Sequence, residues 1–161
     1  MLLWLWVGLL GQHLPTHPTD PGAPIPMALV GDLAGKPLEL KSFRGKPLLL
    51  NLWATWCGPC RRELPVLVEV ARKYPALQVV ALSTEQDREL VARTAERLQL
   101  PFTVLYDPED VTPLAFLTPV IPATFLYDAE GRLVWHASRV IPADDPELKA
   151  AIVQVLTPKT P

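Results

Sequence analysis

Apolar and polar residues alternate along this chain in blocks that read as strands and helices. "PLLLNLW" is a continuous apolar run, the pattern of a strand buried on both faces of a partly parallel sheet. "RRELPVLVEVARKY" carries apolar residues at Leu64, Leu67, Val68 and Ala71, which is helical spacing, with Pro65 expected to kink the helix and Pro75 to end it. "ALQVVALST" predicts a second buried strand. "EQDRELVARTAERLQL" predicts an amphipathic helix with Leu90, Val91, Ala95 and Leu98 on one face. "PFTVLYD" reads as a third strand and "EDVTPLAFL" as a short helix or turn. "PATFLYDAEGRLVWHA" reads as a hairpin turning at Ala129 to Gly131, and "DPELKAAIVQVL" as a closing helix capped by Asp144 or Asp145. Upstream, "GDLAG" and "KPLEL" suggest a short hairpin or edge strand that ends at "FRGKP". Strands alternating with helices, closed by a hairpin and a helix, predict an α/β sandwich around a mixed sheet.

The first ten residues, "MLLWLWVGLL", break this rhythm because they are apolar throughout. As a helix they would span about 15 Å, half of a ~30 Å hydrocarbon core. The length suits the apolar region of an export signal, although no Lys or Arg precedes it and no A-x-A site follows. Residues 1–14 are read as an apolar leader or membrane anchor, with an apolar segment packed on the domain as the alternative. "HLPTHPTDPGAPIP" holds five prolines between Pro15 and Pro26, so residues 15–26 are expected to form a stiff, extended linker. The folded domain is expected over 27–158.

Composition narrows the function. In 161 residues, 15 Lys and Arg against 17 Asp and Glu give a net charge of −2, with no basic block to hold nucleic acid. The chain has two cysteines, Cys57 and Cys60, and three histidines, His13, His17 and His136. A structural zinc site needs four ligands, and these residues lack the usual paired spacing, so no metal site is expected. A structural staple is also a weak reading, because so short a loop removes little chain entropy. Redox chemistry fits better. The pair follows a buried strand and opens a helix, so Cys57 is expected exposed near the helix N-terminus, where free N–H groups favour a thiolate. Cys60, one turn further in, is placed to attack a mixed disulfide on Cys57.

"FRGKPLLLNLWATWCGPCRRELP", the helix and strand near residues 86 to 106, and "IPATFLYDAEGRLVW" together resemble the thioredoxin superfamily, and more closely its TlpA/ResA-like thiol–disulfide oxidoreductases. The resemblance covers roughly Met27 to Leu156. It implies a thioredoxin-like fold with that branch's inserted helix and strand. It implies Cys57 as nucleophile, Cys60 as resolving thiol, Trp56 shielding the pair, and Gly58 and Pro59 between the thiols as in thioredoxin-like reductants. Pro122 would be a cis-proline facing the disulfide, and Ile121 would offer backbone hydrogen bonds to an extended substrate. Glu63 matches the family's active-site glutamate; the alternative is a solvated acid in the first turn of the helix. Asn51 stands where thioredoxins proper carry a buried aspartate, and because it cannot titrate it is expected to bond backbone groups. Val120, Ala123 and the Ala137–Ser138–Arg139 region depart from the family pattern at the substrate rim.

The resemblance further implies a monomeric, extracytoplasmic protein. Its redox centre would be the Cys57–Cys60 disulfide with no other cofactor, its substrates disulfide-bearing proteins, and its reductant a membrane electron donor. Suggested substrates are apocytochrome c or an oxidase assembly protein. The competing readings are a copper-handling or assembly chaperone on the same fold, or an oxidase running the exchange in reverse. A peroxidase fits less well, since no cysteine stands outside the pair.

Overall fold

A computed structural model describes residues 15–157. The elements follow the order β1 (Leu29–Asp32), β2 (Pro37–Glu39), a 3-10 turn (Leu40–Phe43), β3 (Leu48–Trp53), α1 (Gly58–Lys73), β4 (Gln78–Ser83), α2 (Arg88–Arg97), β5 (Thr103–Tyr106), α3 (Thr112–Phe116), β6 (Ala123–Tyr127), β7 (Leu133–Ala137) and α4 (Pro146–Leu156). The strands form one mixed sheet, β2-β1-β5-β4-β3-β6-β7. β3 pairs parallel with β4 and β4 parallel with β5, whereas β6 runs antiparallel to both β3 and β7.

β3 explains why its sequence is apolar without interruption. All six of its residues are buried, and successive side chains point to opposite faces. Leu49 and Trp53 enter the core that also holds Leu64 and Leu67 of α1 and Ile152 of α4. Leu48, Leu50 and Leu52 enter the other core, with Phe116, Phe125 and Tyr127. Asn51 shares the face of Leu49 and Trp53, so a lone amide is delivered beneath α1.

The expected helices and strands are present, with local differences. α1 runs unbroken through Pro65. The ring removes the bond to the Arg61 carbonyl, but both residues are exposed, so water can take that acceptor. In α2 the buried face is Val91, Thr94 and Ala95, while Leu90 is 37% exposed and does not belong to it. Of the two candidate caps for α4, Asp145 accepts the Leu148 N–H at 2.9 Å.

The largest difference lies upstream of Met27. The stretch expected to be a linker is packed: Ala23 is 1% and Ile25 2% exposed. The Gly22 and Ile25 N–H groups donate to the Leu133 and Gly131 carbonyls at 2.8 and 2.9 Å, and the Leu133 N–H donates to Ala23 O at 2.8 Å. Pro24 bridges to Arg132 in antiparallel fashion. Extended backbone suits proline whether it spans open solvent or lies along a strand, and the alternating Ala23 and Ile25 decide for packing. The packed domain therefore begins before Met27. The proposed leader, residues 1–14, and residue 158 at the other boundary lie outside the described residues. Among the described residues no helix is long and apolar enough to cross a membrane.

Candidate active site

β3 ends at Trp53, and the turn Ala54–Trp56 delivers Cys57 to the start of α1. Glu85, just past the end of β4, pins this turn. Its carboxylate accepts the Thr55 N–H at 2.7 Å, the Thr55 hydroxyl at 2.6 Å and the Ser83 hydroxyl at 3.0 Å. Cys57 is the N-cap of α1, and its Sγ accepts the Cys60 N–H at 3.2 Å. A helix N-terminus with a donor aimed at sulfur stabilises negative charge there. No acidic residue in the first turn opposes that effect. The two cysteines form a disulfide with sulfurs 2.04 Å apart.

The antiparallel register of β3 with β6 sets Leu52 against Ala123 and Asn51 against Thr124. The residues just before β6 therefore arrive beside the end of β3, where Cys57 emerges. There the Ile121–Pro122 peptide bond is cis, and the Ile121 carbonyl oxygen lies 4.0 Å from Cys57 Sγ. In the disulfide that sulfur carries no proton, so this is a contact; in the dithiol the same carbonyl is an available acceptor.

Cys57 is 4% and Cys60 1% exposed. Cys57, expected to be exposed, is therefore buried like Cys60, and Ile121 packs against the core that includes both cysteines. Trp56 is 70% exposed. Gly58 and Pro59 form the first positions of α1, where a missing proline N–H costs no hydrogen bond.

Beneath the disulfide lies a polar cluster whose chain positions are far apart. Glu63 is completely buried, which rules out the solvated surface acid. Its Oε1 accepts the Asn51 amide at 2.9 Å and the Thr124 hydroxyl at 2.8 Å, and its Oε2 accepts the Ile141 N–H at 2.9 Å. Asn51 thus bonds side chains rather than backbone, donating to Thr124 Oγ1 as well at 2.9 Å. Burial pushes the Glu63 carboxyl above its ordinary range, against the opposing pull of the Ile141 N–H, the Thr124 hydroxyl and the Arg139 charge. Cys60 and Glu63 are three residues apart on α1, hence neighbours on one helix face.

Thr124, Ile141, Glu85 and Arg139 were not among the candidates drawn from sequence. Thr124 left a faint signal as the one aliphatic hydroxyl in the run "ATFLY". The Ile141 amide left none, since a backbone group reaches Glu63 only through the fold. Arg139, in the region without the family glycine, pairs with the α4 cap Asp145 at 2.8 Å. Among the described residues no group of three or more His, Cys, Asp or Glu side chains could hold a metal ion.

Comparison with known proteins agrees with this chemistry. The model of the AhpC/TSA family matches residues 21–136, which includes the Pro21–Pro26 stretch packed against Leu133. A Bacillus cereus thiol–disulfide oxidoreductase ResA is 31% identical over 139 residues, 85% of this chain and 79% of the relative. A solved structure of a putative thiol:disulfide interchange protein DsbE from Chlorobium tepidum superposes with a TM-score of 0.77 at 28% identity, covering 86% of this chain and 99% of that one. A secreted Mycobacterium tuberculosis disulfide oxidoreductase homologous to E. coli DsbE gives 0.68 at 28% identity, over 80% and 96% of the two chains. Sequence, fold and the capped cysteine pair converge: the chain belongs to the AhpC/TSA family, with the thioredoxin-like fold and the thiol–disulfide oxidoreductase activity of its ResA- and DsbE-like relatives.

Proposed function

We propose that this oxidoreductase works as a reductant, delivering two electrons from the Cys57–Cys60 dithiol to disulfides in partner proteins outside the cytoplasm. The observation that carries thiol–disulfide exchange through Cys57 is the placement of its Sγ, capped by the Cys60 N–H at 3.2 Å and facing the Ile121 carbonyl across 4.0 Å. The Cys57 thiolate attacks one sulfur of the partner's disulfide, forming a mixed disulfide and releasing the other sulfur as a thiolate that takes up a proton. The Cys60 thiolate then attacks Cys57 Sγ, closing the Cys57–Cys60 disulfide and releasing the partner's second thiolate, which is protonated in turn. Glu63, buried on the same helix face, accepts the Cys60 proton before that second attack. The Ile121 backbone and the Trp56 face hold the partner's extended chain during both steps. A membrane dithiol donor returns the two electrons, and the protein acts as a monomer.

The reductive direction is supported by the Gly58–Pro59 spacer and by the absence of a fixed charge at Asn51. With these features we expect a potential near that of thioredoxin, about −270 mV, rather than near that of a strong oxidant, about −120 mV. Work outside the cytoplasm is supported by the apolar first ten residues and by the Mycobacterium tuberculosis relative described as secreted. Apocytochrome c and oxidase assembly proteins remain the proposed substrates. Equilibration against glutathione or dithiothreitol tests the direction. A potential below about −230 mV is expected, and one above about −180 mV would make the protein an oxidase or isomerase. Trapping with Cys60→Ser in the native host, followed by identification of the captured protein, tests the substrate.

A further inference from the structure

Next to Trp56, the residue before Cys57, the surface is indented. A notch of about 340 Å³ is lined by Thr55, Trp56, Leu90, Arg93, Thr94 and Arg97, and so runs from the residue before Cys57 to the exposed side of α2. Three observations give it a chemical character. Its apolar walls are Trp56 and Leu90, both exposed and neither used by the core. Its charged groups are arginines. Arg93 meets Glu89 at 3.5 Å, and Arg97 forms no ion pair among the described residues. Glu85, the acid that holds Thr55, has its carboxylate taken up by Thr55 and Ser83.

Arginines also follow the cysteine pair along α1. Arg61 and Arg62 are exposed in the first turn of α1, and the Arg62 guanidinium stands 3.9 Å from where a side chain on Gly58 would begin. A chain of net charge −2 thus carries exposed arginines in α1 just after the cysteine pair and in α2 beside Trp56. Tryptophan and arginine are also the residue types that most often dominate binding energy at protein interfaces.

We propose that this notch docks the segment flanking the target cysteine of a partner protein, and that it selects segments carrying a bulky apolar side chain together with one or more carboxylates. The apolar side chain lies against Trp56 and Leu90, and the carboxylates lie against Arg93 and Arg97. The occupant must be the partner itself, because Trp56 adjoins the sulfur that attacks the partner's disulfide. The inference rests on Cys57 as the attacking thiol and is independent of the direction of electron flow.

The test uses the full chain with Cys60→Ser, in which Cys57 forms a mixed disulfide that cannot be resolved. Three disulfide-containing peptides share a leucine beside the cysteine and differ in having two glutamates, two glutamines or two lysines next to it. Each capture rate is divided by the same peptide's rate with glutathione, which removes the effect of flanking charge on the peptide's own sulfur chemistry. The acidic peptide should be captured at least about ten times faster than the basic one at low salt, with the glutamine peptide between them. The ratio should shrink as salt screens the arginines. Replacing the leucine by serine should slow capture of the acidic peptide. Combining Arg93→Glu with Arg97→Glu should reverse the order, whereas combining Arg72→Glu with Lys73→Glu, the same charge change at the far end of α1, should preserve it. Equal normalised rates for acidic and basic peptides would overturn the proposal, as would a preference that survives the double reversal. If no peptide is captured at all, Cys57 is not the attacking thiol and the docking site falls with it.

Discussion

Glu63 shows how much a single side chain can change meaning once its neighbours are known. In sequence it is an acid two residues after an arginine pair begins; in the fold it is sealed beneath the disulfide with both oxygens bonded. Its raised pKa has a thermodynamic consequence. The folded protein holds the Glu63 proton more tightly than the unfolded chain, so folding is favoured most below the ordinary value of 4.5. That contribution is lost as pH rises through the elevated folded value. Urea unfolding of the disulfide form at a series of pH values should therefore show wild-type stability falling, relative to Glu63→Gln, as pH increases from about 4.5 towards neutrality. Parallel curves for the two proteins would mean that burial does not perturb the group. At the start of the same helix, Cys57 caps α1 with its Sγ accepting the Cys60 N–H, so alkylation of the reduced protein should modify Cys57 first, read by peptide mass mapping. Faster labelling of Cys60 would reverse the assigned roles.

Elements were the most legible level, because periodicity survives without knowledge of partners. β3, β4, α1 and α4 follow directly from apolar runs and helical spacing. The cysteine pair was also legible, since its chemistry is local: a strand, a turn, a thiol and a helix start. The polar cluster was not, because Asn51, Glu63, Thr124 and Ile141 converge only through β3–β6 pairing and the return of the chain after β7. β1 holds another feature hidden from pattern reading. Gly31 pairs with Tyr106 of β5, and a Cβ there would fall 2.2 Å from the Tyr106 ring. Glycine is required because the ring lies on it, not because the backbone is unusual. Gly31→Ala should cost about 1–3 kcal/mol, as overpacking does, measured by denaturant midpoint at constant m-value. An unchanged midpoint would show that the ring moves aside freely.

At the scale of the molecule, the stretch from Gly22 to Ile25 belongs to the domain that the cysteines serve. Ile25 fills the core between Leu133 and the strands beneath it, so Ile25→Ala should destabilise the fold by roughly 2–5 kcal/mol. A chain beginning at Met27 should unfold at lower temperature than one beginning at Pro15. Equal melting temperatures would return the stretch to the role of a linker. Its position matters for a protein whose work is to handle other chains. The sheet ends on one side in β2, three residues long, beginning with Pro37 and flanked by the paired charges of Glu39 and Lys41. On the other side, the start of β7 is already occupied by a segment whose Pro21, Pro24 and Pro26 have no N–H to offer a newcomer. A sheet margin is otherwise a template onto which an unfolded polypeptide can add itself as a further strand. With β2 short and the start of β7 covered, a client tethered through its cysteine has less edge to zip onto, which favours its departure once the sulfur bond is resolved.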